Sequence, residues 1–268
     1  MITVCIATYN GSRYIRQQLL SILPQLAETD EIVVSDDGST DDTSEIVRSI
    51  GDKRIRIVDN RKGEGGKHYH KEEDGKHYHK EEDGKHYHKE EGGKNTLSNS
   101  LTRNFENALR HAKGDYIFLS DQDDVWMENK VAVCMEVLRS HHCVVSDAIV
   151  TDKDLNTTND SFYKMIKMKP GRLYNLLWHN GYTGCCMAFR RDVMQKALPF
   201  PADIPMHDIW IGNVAAFFFD VAFINDRLIY FRRHESAASC NGKGSRFSTA
   251  RQILFRWKTI KNLITHKS

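Results

Sequence analysis

Three stretches of this 268-residue sequence carry side chains able to handle a charged ligand: Thr8-Tyr9-Asn10, Asp36-Asp37 and Asp121-Gln122-Asp123-Asp124. Each follows a short apolar run that reads as a β-strand. In an open α/β sheet, ligands bind at the carboxyl ends of the strands, so these three loops are expected to meet there. Carboxylates gathered at one sheet edge repel each other unless a cation or hydrogen-bond donors balance them. An oxygen-rich set of this kind points to a hard divalent metal, and such metals commonly serve phosphates. No G-x-G-x-x-G opens the first helix and no G-x-x-x-x-G-K-[ST] occurs anywhere, so dinucleotide and P-loop readings lose their main support.

The elements that must position these loops alternate between strand and helix. Ile2–Ala7 reads as a strand, then Asn10-Gly11 turns into a helix carrying Ile15, Leu19, Ile22 and Leu23 before Pro24. Glu31–Ser35 is a second strand, and Asp41 or Asp42 can cap a helix through Ile46, Val47 and Ile50. Ile55–Val58 is a third strand. Leu101, Phe105, Ala108, Leu109 and Ala112 follow helical spacing up to Gly114. Tyr116–Leu119 is a fourth strand and Glu128–Arg139 a fourth helix. This order predicts parallel strands joined by right-handed helical crossovers, with both sheet faces covered. Further on, Cys185–Arg190, Val221–Ile224 and Leu228–Phe231 read as strands, with a helix through His207–Phe219.

Composition excludes several classes. The chain is 40% apolar and 28% charged, and 38 Lys plus Arg against 36 Asp plus Glu leave a formal charge of +2, which argues against a generic nucleic-acid binder. The longest apolar stretches, such as Ile209–Phe219, are too short and interrupted to span a bilayer. Residues 1–7 show no charged n-region or cleavage site and read as a strand, not as a signal peptide. The six cysteines have no C-x-x-C spacing and sit mostly inside apolar runs, so reduced, buried thiols and a cytoplasmic location are expected.

Residues 67–93 are three copies of a nine-residue unit (KHYHKEEDG twice, then KHYHKEEGG) holding six of the thirteen histidines. Two readings stand side by side: weak metal binding by His68, His70, Glu72, Glu73, Asp74 and their repeats, or a solvated insertion, spanning about 63–95, in a tolerant surface loop.

The segments VCIATYNGSRYI, IVVSDDGSTDDT, RNFENALRHAKGDYIFLSDQDDVW, GYTGCCMAFRR, MHDIWIG and YFRRHESAAS occur in that order. Together the sequence resembles a family 2 glycosyltransferase of the DQDD, rhamnosyltransferase-like type. The resemblance implies a single α/β, Rossmann-like GT-A domain over 1–240, with a mixed, mainly parallel central sheet, a nucleotide-binding half at about 1–125, an acceptor half at about 126–240 and a tail at 241–268. It implies that Thr8 and Tyr9 cradle the nucleotide base, that Asp36 and Asp37 accept hydrogen bonds from base or ribose, and that Arg103 lies near the nucleotide. Asp121 and Asp123 resemble the carboxylates that hold Mg²⁺ or Mn²⁺ against the diphosphate. Asp208 matches the general base of inverting members. His234 matches a histidine that reaches the metal or diphosphate. The implied partners are a UDP- or dTDP-sugar donor and a glycan or lipid-linked glycan acceptor, with no nucleic acid.

The chemistry is consistent with those roles. Breaking a sugar–phosphate bond leaves charge on a diphosphate, which a metal stabilises, and the acceptor hydroxyl needs a separate carboxylate to take its proton. Other readings remain for single residues. Asp41 and Asp42 are read as turn and cap residues. Asp124 is either a turn cap or a metal neighbour, and His207 is an orienting neighbour. Trp126, Trp178 and Trp210 are either sugar platforms or core and cleft wall. Two other functions are weighed: a sugar nucleotidyltransferase, for which Ala7-Thr8-Tyr9-Asn10-Gly11 is a poor Gly-rich loop, and a non-enzymatic His-rich metal-binding protein. In the tail, seven Lys or Arg and no acidic residue follow Glu235, and an apolar stripe recurs at helical spacing. Residues 246–264 thus form a helix suited either to an anionic membrane surface, at the inner face of the membrane, or to packing on the domain.

Overall fold

The computed structural model describes residues 1–60, 96–234 and 248–266. The histidine repeat, Cys240 and Phe247 lie outside the described residues. Strand β1 (Ile2–Thr8) is buried along its whole length, as a central strand covered on both faces must be. Helix α1 (Ile15–Ile22) buries Ile15, Leu19 and Ile22, and a 3₁₀ turn at Leu23–Gln25 carries Pro24, which stops the helix. The units β2 (Glu31–Asp36), α2 (Thr43–Ser49), β3 (Ile55–Asp59), α3 (Thr96–His111) and β4 (Tyr116–Asp121) follow as the apolar periodicity predicts. Asp41 accepts from the backbone N–H of Ser12 at 3.1 Å and of Thr43 at 3.1 Å, the turn role read for it, while Asp42 stands at the N-cap without a side-chain cap bond.

Beyond β4 come β5 (Val125–Trp126), α4 (Lys130–Leu138), β6 (Cys143–Thr151), β7 (Thr157–Asn159), α5 (Phe162–Ile166) and α6 (Arg172–Leu177). After them lie β8 (Met187–Arg190), α7 (Arg191–Ala197), α8 (His207–Phe218), β9 (Val221–Arg232) and α9 (Thr249–Thr265). One sheet runs in the order β3-β2-β1-β4-β8-β6-β9-β5, with β7 beside β6. The pairs β3–β2, β2–β1, β1–β4 and β6–β9 are parallel, and β8 runs against both β4 and β6. The sheet is therefore mixed and mainly parallel. The uninterrupted parallel order read from the first half stops at β4.

Three differences from the sequence reading have physical causes. Cys185 and Cys186 belong to a 3₁₀ turn (Gly184–Cys186), and the strand begins only at Met187. The two strands expected at Val221–Ile224 and Leu228–Phe231 are one, because the exposed Asn225-Asp226-Arg227 stays extended across a register shift against β6. Strand β6 itself escapes a hydrophobicity reading because Asp147 sits in it. Its carboxylate is buried, and accepts from Ser161 Oγ at 2.6 Å and the Tyr163 N–H at 2.8 Å, so the partners supply what burial removes.

Candidate active site

The parallel ladder places the acids. Thr8 of β1 pairs with Asp36 of β2, Asp36 with Asp59 of β3, and Ala7 with Asp121 of β4. The loops after β1, β2 and β4 thus emerge side by side. Gln122 ties two of them together: its Oε1 accepts from the Tyr9 N–H at 3.0 Å and its Nε2 donates to the Tyr9 carbonyl at 3.2 Å. A Cβ on Gly11 would lie 2.2 Å from Gln122 Oε1, so this clamp requires glycine there.

On the nucleotide side, Asp36 and Thr8 depart from the expected roles. The Thr8 hydroxyl donates to Asp36 Oδ1 at 3.0 Å, and Asp36 also accepts from the Ser39 hydroxyl at 2.5 Å and the Ser39 N–H at 3.0 Å. Both side chains are buried and hold the loop together, so neither is open to a ligand through its side chain. Asp37 is half-buried, accepts from Asn60 Nδ2 at 2.8 Å, and receives the Ser100 hydroxyl. Tyr9 stays exposed. Helix α3 braces this edge: Asn104 Nδ2 donates to the Thr8 carbonyl at 3.0 Å and Asn107 Nδ2 to Ser35 Oγ at 2.8 Å. Arg103, one residue from Asn104, is exposed on the same helix.

On the acidic side, Asp121, Asp124 and Cys185 bring one ligand atom each to within 4.8 Å of one another. Enclosure away from water, with Asp123 and Asp208 as further negative neighbours, pushes Asp121 up to about 7. Burial, then Asp123 and Asp121, drives Asp124 well above the carboxylate range. Asp124 Oδ1 accepts from the Arg232 backbone N–H at 3.0 Å, while its buried Oδ2 has no partner among the described residues. Asp123 turns the other way and meets His234 Nε2 at 2.7 Å. The His234 ring leans on Tyr14, with centroids 4.9 Å apart.

Asp208, at the start of α8, is half-buried, and burial is the leading cause that pushes it up to about 6. Its negative charge is one of the causes that raise Asp121, after burial and Asp123. His207 beside it is fully buried against Phe105 at 3.9 Å, and burial pushes it down to about 3. It is a neutral wall, not a proton carrier.

The 3₁₀ turn at Gly184–Cys186 joins these groups, which the sequence reading did not anticipate. The Gly184 N–H donates to Asp208 Oδ2 at 3.3 Å. The Cys185 thiol lies within 4.8 Å of the carboxylates of Asp121 and Asp124, and it remains protonated because Cys186, burial and the two acids all raise it. A Cβ at Gly184 would stand 2.9 Å from His207 Nε2 and 3.5 Å from the Asp208 Cβ, so only glycine permits this approach. Lys130, buried on α4, donates from Nζ to the Cys185 carbonyl at 2.7 Å and fixes the turn. The only sequence signals were the G-C-C run and a lysine on an otherwise apolar helix face. Trp126 and Trp210 are core; Trp178 is 71% exposed.

The donor set fits a hard divalent cation. Crowded carboxylates raised first by burial and then by one another, and a buried carboxylate oxygen without a partner among the described residues, are what Mg²⁺ or Mn²⁺ would relieve; a protonated thiol adds no soft ligand. Asp121 and Asp124 are the carboxylates that converge there with Cys185, whereas Asp123, expected as a ligand, meets His234 instead.

Residues 3–69 and 94–198 match the family described as Glycosyl transferase family 2. An uncharacterized glycosyltransferase of Nostoc sp. is 24% identical over 267 residues, covering 90% of this chain and 69% of its own. The UDP-Glc:alpha-D-GlcNAc-diphosphoundecaprenol beta-1,3-glucosyltransferase WfaP of Escherichia coli is 30% identical over 134 residues, covering 49% of this chain and 39% of its own. Among solved structures, S. aureus TarS 1–349 in complex with UDP-GlcNAc superposes with a TM-score of 0.65 at 16% identity, covering 99% of this chain and 66% of that one. Glucosyl-3-phosphoglycerate synthase from Mycobacterium tuberculosis, solved with Mn²⁺ and UDP, gives 0.55 at 16% identity, covering 99% and 79%. The fold is the GT-A fold of these enzymes.

Proposed function

The chain belongs to glycosyl transferase family 2, and we propose that it moves a hexose or deoxyhexose from a UDP- or dTDP-sugar to a glycan acceptor, with metal dependence and inversion at the anomeric carbon. The observation that carries this reading is the Gly184–Cys186 turn, which brings Cys185 within 4.8 Å of the Asp121 and Asp124 carboxylates while its Gly184 N–H donates to Asp208 Oδ2. We assign donor binding to about 1–125 and acceptor binding to about 126–240. WfaP acts on a diphosphoundecaprenol-linked sugar, which favours surface polysaccharide as the destination here.

In the reaction, Asp37 and Tyr9 receive the nucleoside and Arg103 approaches it from α3. Asp121 and Asp123 would hold the cation, which when bound would supply positive charge toward the leaving diphosphate. The acceptor hydroxyl attacks the anomeric carbon as the bond from that carbon to the phosphate oxygen breaks, and its proton passes to Asp208. A carboxylate raised to about 6 is ionised near neutrality yet still basic enough for this task. One displacement inverts the centre.

Thermal shift across a panel of nucleoside-diphosphate sugars with Mn²⁺ tests the reading, since a ligand stabilises by RT ln(1 + [L]/Kd). A UDP- or dTDP-sugar present at about 100 times its Kd raises stability by about 2.7 kcal/mol. No shift with any member would sink the donor assignment.

Among the described residues, no helix is long and apolar enough to cross a membrane. Helix α9 meets the domain through its polar side: Thr259 and Asn262 are buried, and Asn262 Nδ2 donates to Asp203 Oδ1 at 2.8 Å. Part of its apolar stripe faces outward, with Trp257 58% and Ile264 80% exposed beside Ile253 and Leu254, while Leu263 packs on the core. Leu173 and Leu177 of α6 and Trp178 after it are exposed too, and Arg256 donates to the Trp178 carbonyl at 2.7 Å. This apolar face, set among Arg251, Arg256, Lys258 and Lys261, supports peripheral binding at the cytoplasmic face of an anionic membrane. Buried free thiols at Cys5, Cys134, Cys143, Cys185 and Cys186 support the same compartment. Replacing Ile253 and Trp257 by Glu is expected to lower the fraction floating with phosphatidylglycerol vesicles at least about tenfold, as two anchors leave apolar contact; unchanged flotation would refute the membrane role.

A further inference from the structure

A cleft of about 290 Å³ opens beside the acidic site, lined by Arg13, Tyr14, Gln17, Lys153, Asp154, Leu155 and Arg232. Its cations are held in place. Arg232 closes β9, and its guanidinium lies over the Tyr14 ring at 4.4 Å. It donates to Gln17 Oε1 at 2.7 Å and to the Lys153 carbonyl at 3.3 Å. Arg13 lies over the same ring at 5.1 Å. Lys153 stands on a turn fixed by Asp152, whose carboxylate accepts from the Asp154 and Asn156 N–H groups at 2.9 Å each.

Among the described residues the charge of this cleft is not balanced. Arg232 is 5% exposed, its backbone N–H donates to Asp124 Oδ1, and among the described residues its guanidinium meets only neutral oxygens while its Nε has no partner. Asp154, the single carboxylate in the lining, is paired with Lys153. A buried guanidinium without a counter-charge is costly unless an anion arrives, and guanidinium groups match phosphate oxygens closely. In the function proposed above the donor's diphosphate sits with the acidic loops, and Asp37, Asp121 and Asp123 do not line this cleft. Tyr14 touches both sides, carrying His234 at 4.9 Å as well as Arg232.

We propose that this cleft binds a phosphate or diphosphate group carried by the acceptor, so that the acceptor is a glycan on a phosphate-bearing carrier. The proposal rests on the glycosyltransferase reading. Arg13 and Lys153 face the incoming group, and Arg232 neutralises it from beneath.

Calorimetry on the full chain, with Mg²⁺ and saturating UDP, tests this using farnesyl diphosphate, inorganic phosphate and farnesol as probes. Farnesyl diphosphate is expected to bind the UDP-loaded protein, and the double variant Arg13→Glu, Lys153→Glu to weaken it at least about tenfold, with UDP affinity unchanged as the check on folding. Equal binding to the variant, equal binding of farnesol, or no binding to the wild type overturns the proposal. Inorganic phosphate binding as tightly as farnesyl diphosphate also overturns the acceptor assignment, in favour of a free-phosphate site. Absence of UDP binding would instead sink the function above, while phosphate binding measured without UDP still reports on the cleft.

Discussion

Replacing Asp208 with Asn lowers turnover by about three orders of magnitude, within the range by which a positioned general base contributes, and leaves UDP affinity unchanged. The amide keeps the shape and can still accept from the Gly184 N–H, but it cannot take a proton. The wild type is expected to show an acid limb in kcat/KM near pH 6, falling about tenfold per unit below it, because only the ionised form above that value acts as base. The variant loses that limb. Stability moves the other way. Burial raises the folded-state value above the ordinary carboxylate value of 3.8, so the folded protein binds this proton more tightly than the unfolded chain. Folding stability therefore falls as pH rises from about 4 through about 6, and the penalty is fully present above that. The metal-free Asn variant should accordingly melt higher than the wild type at pH 7.5. Loss of turnover with a lower melting temperature would point to misfolding, and weakened UDP binding with retained turnover would contradict the base role.

Asp123→Ala is expected to remove metal-stimulated donor binding. In the wild type, calorimetry should show UDP binding at least about 100-fold tighter with Mn²⁺ than with EDTA, reflecting several kcal/mol of charge stabilisation from a metal on phosphate. In the variant the two titrations should nearly coincide, because a primary oxygen ligand is gone and His234 loses the carboxylate 2.7 Å away. Metal-free UDP affinity should hold, since Asp37 and Tyr9 lie on other loops. An unchanged Mn²⁺ dependence would refute the ligand assignment and shift attention to Asp124, whose unpartnered buried oxygen is the next candidate.

Much of the first half could be read directly. Strands covered on both faces appear as unbroken apolar runs, and β1, β2 and β4 do so, which set the order of the acidic loops. Strand β6 was hidden by Asp147, whose partners come from residues 14 to 16 positions later. Helices α5, α6 and α7, of five to seven residues, are too short for a period of 3.6 to register. At the site, the residue types were legible but not their directions. Asp36 and Asp37 look equivalent in sequence, yet one is the last strand residue pointing into the loop's hydrogen bonds and the other faces Asn60 and Ser100. The linking role of Gly184 and Cys185 depends on a strand running against its neighbours, which no local pattern encodes. Asp124 and the buried Lys130 belong to the same class.

The rung pairing of β2, β1 and β4 has a consequence for how such a protein can diverge. Thr8 stands across from Asp36, and Ala7 across from Asp121, so the gaps between these loops are multiples of the strand spacing, about 4.8 Å. A one-residue insertion within β1 would exchange the side chains on its two buried faces, leaving no graded route to a wider or narrower gap. Lineages built on this scaffold can trade loops past β4 freely, whereas the seat of the donor is inherited whole or lost.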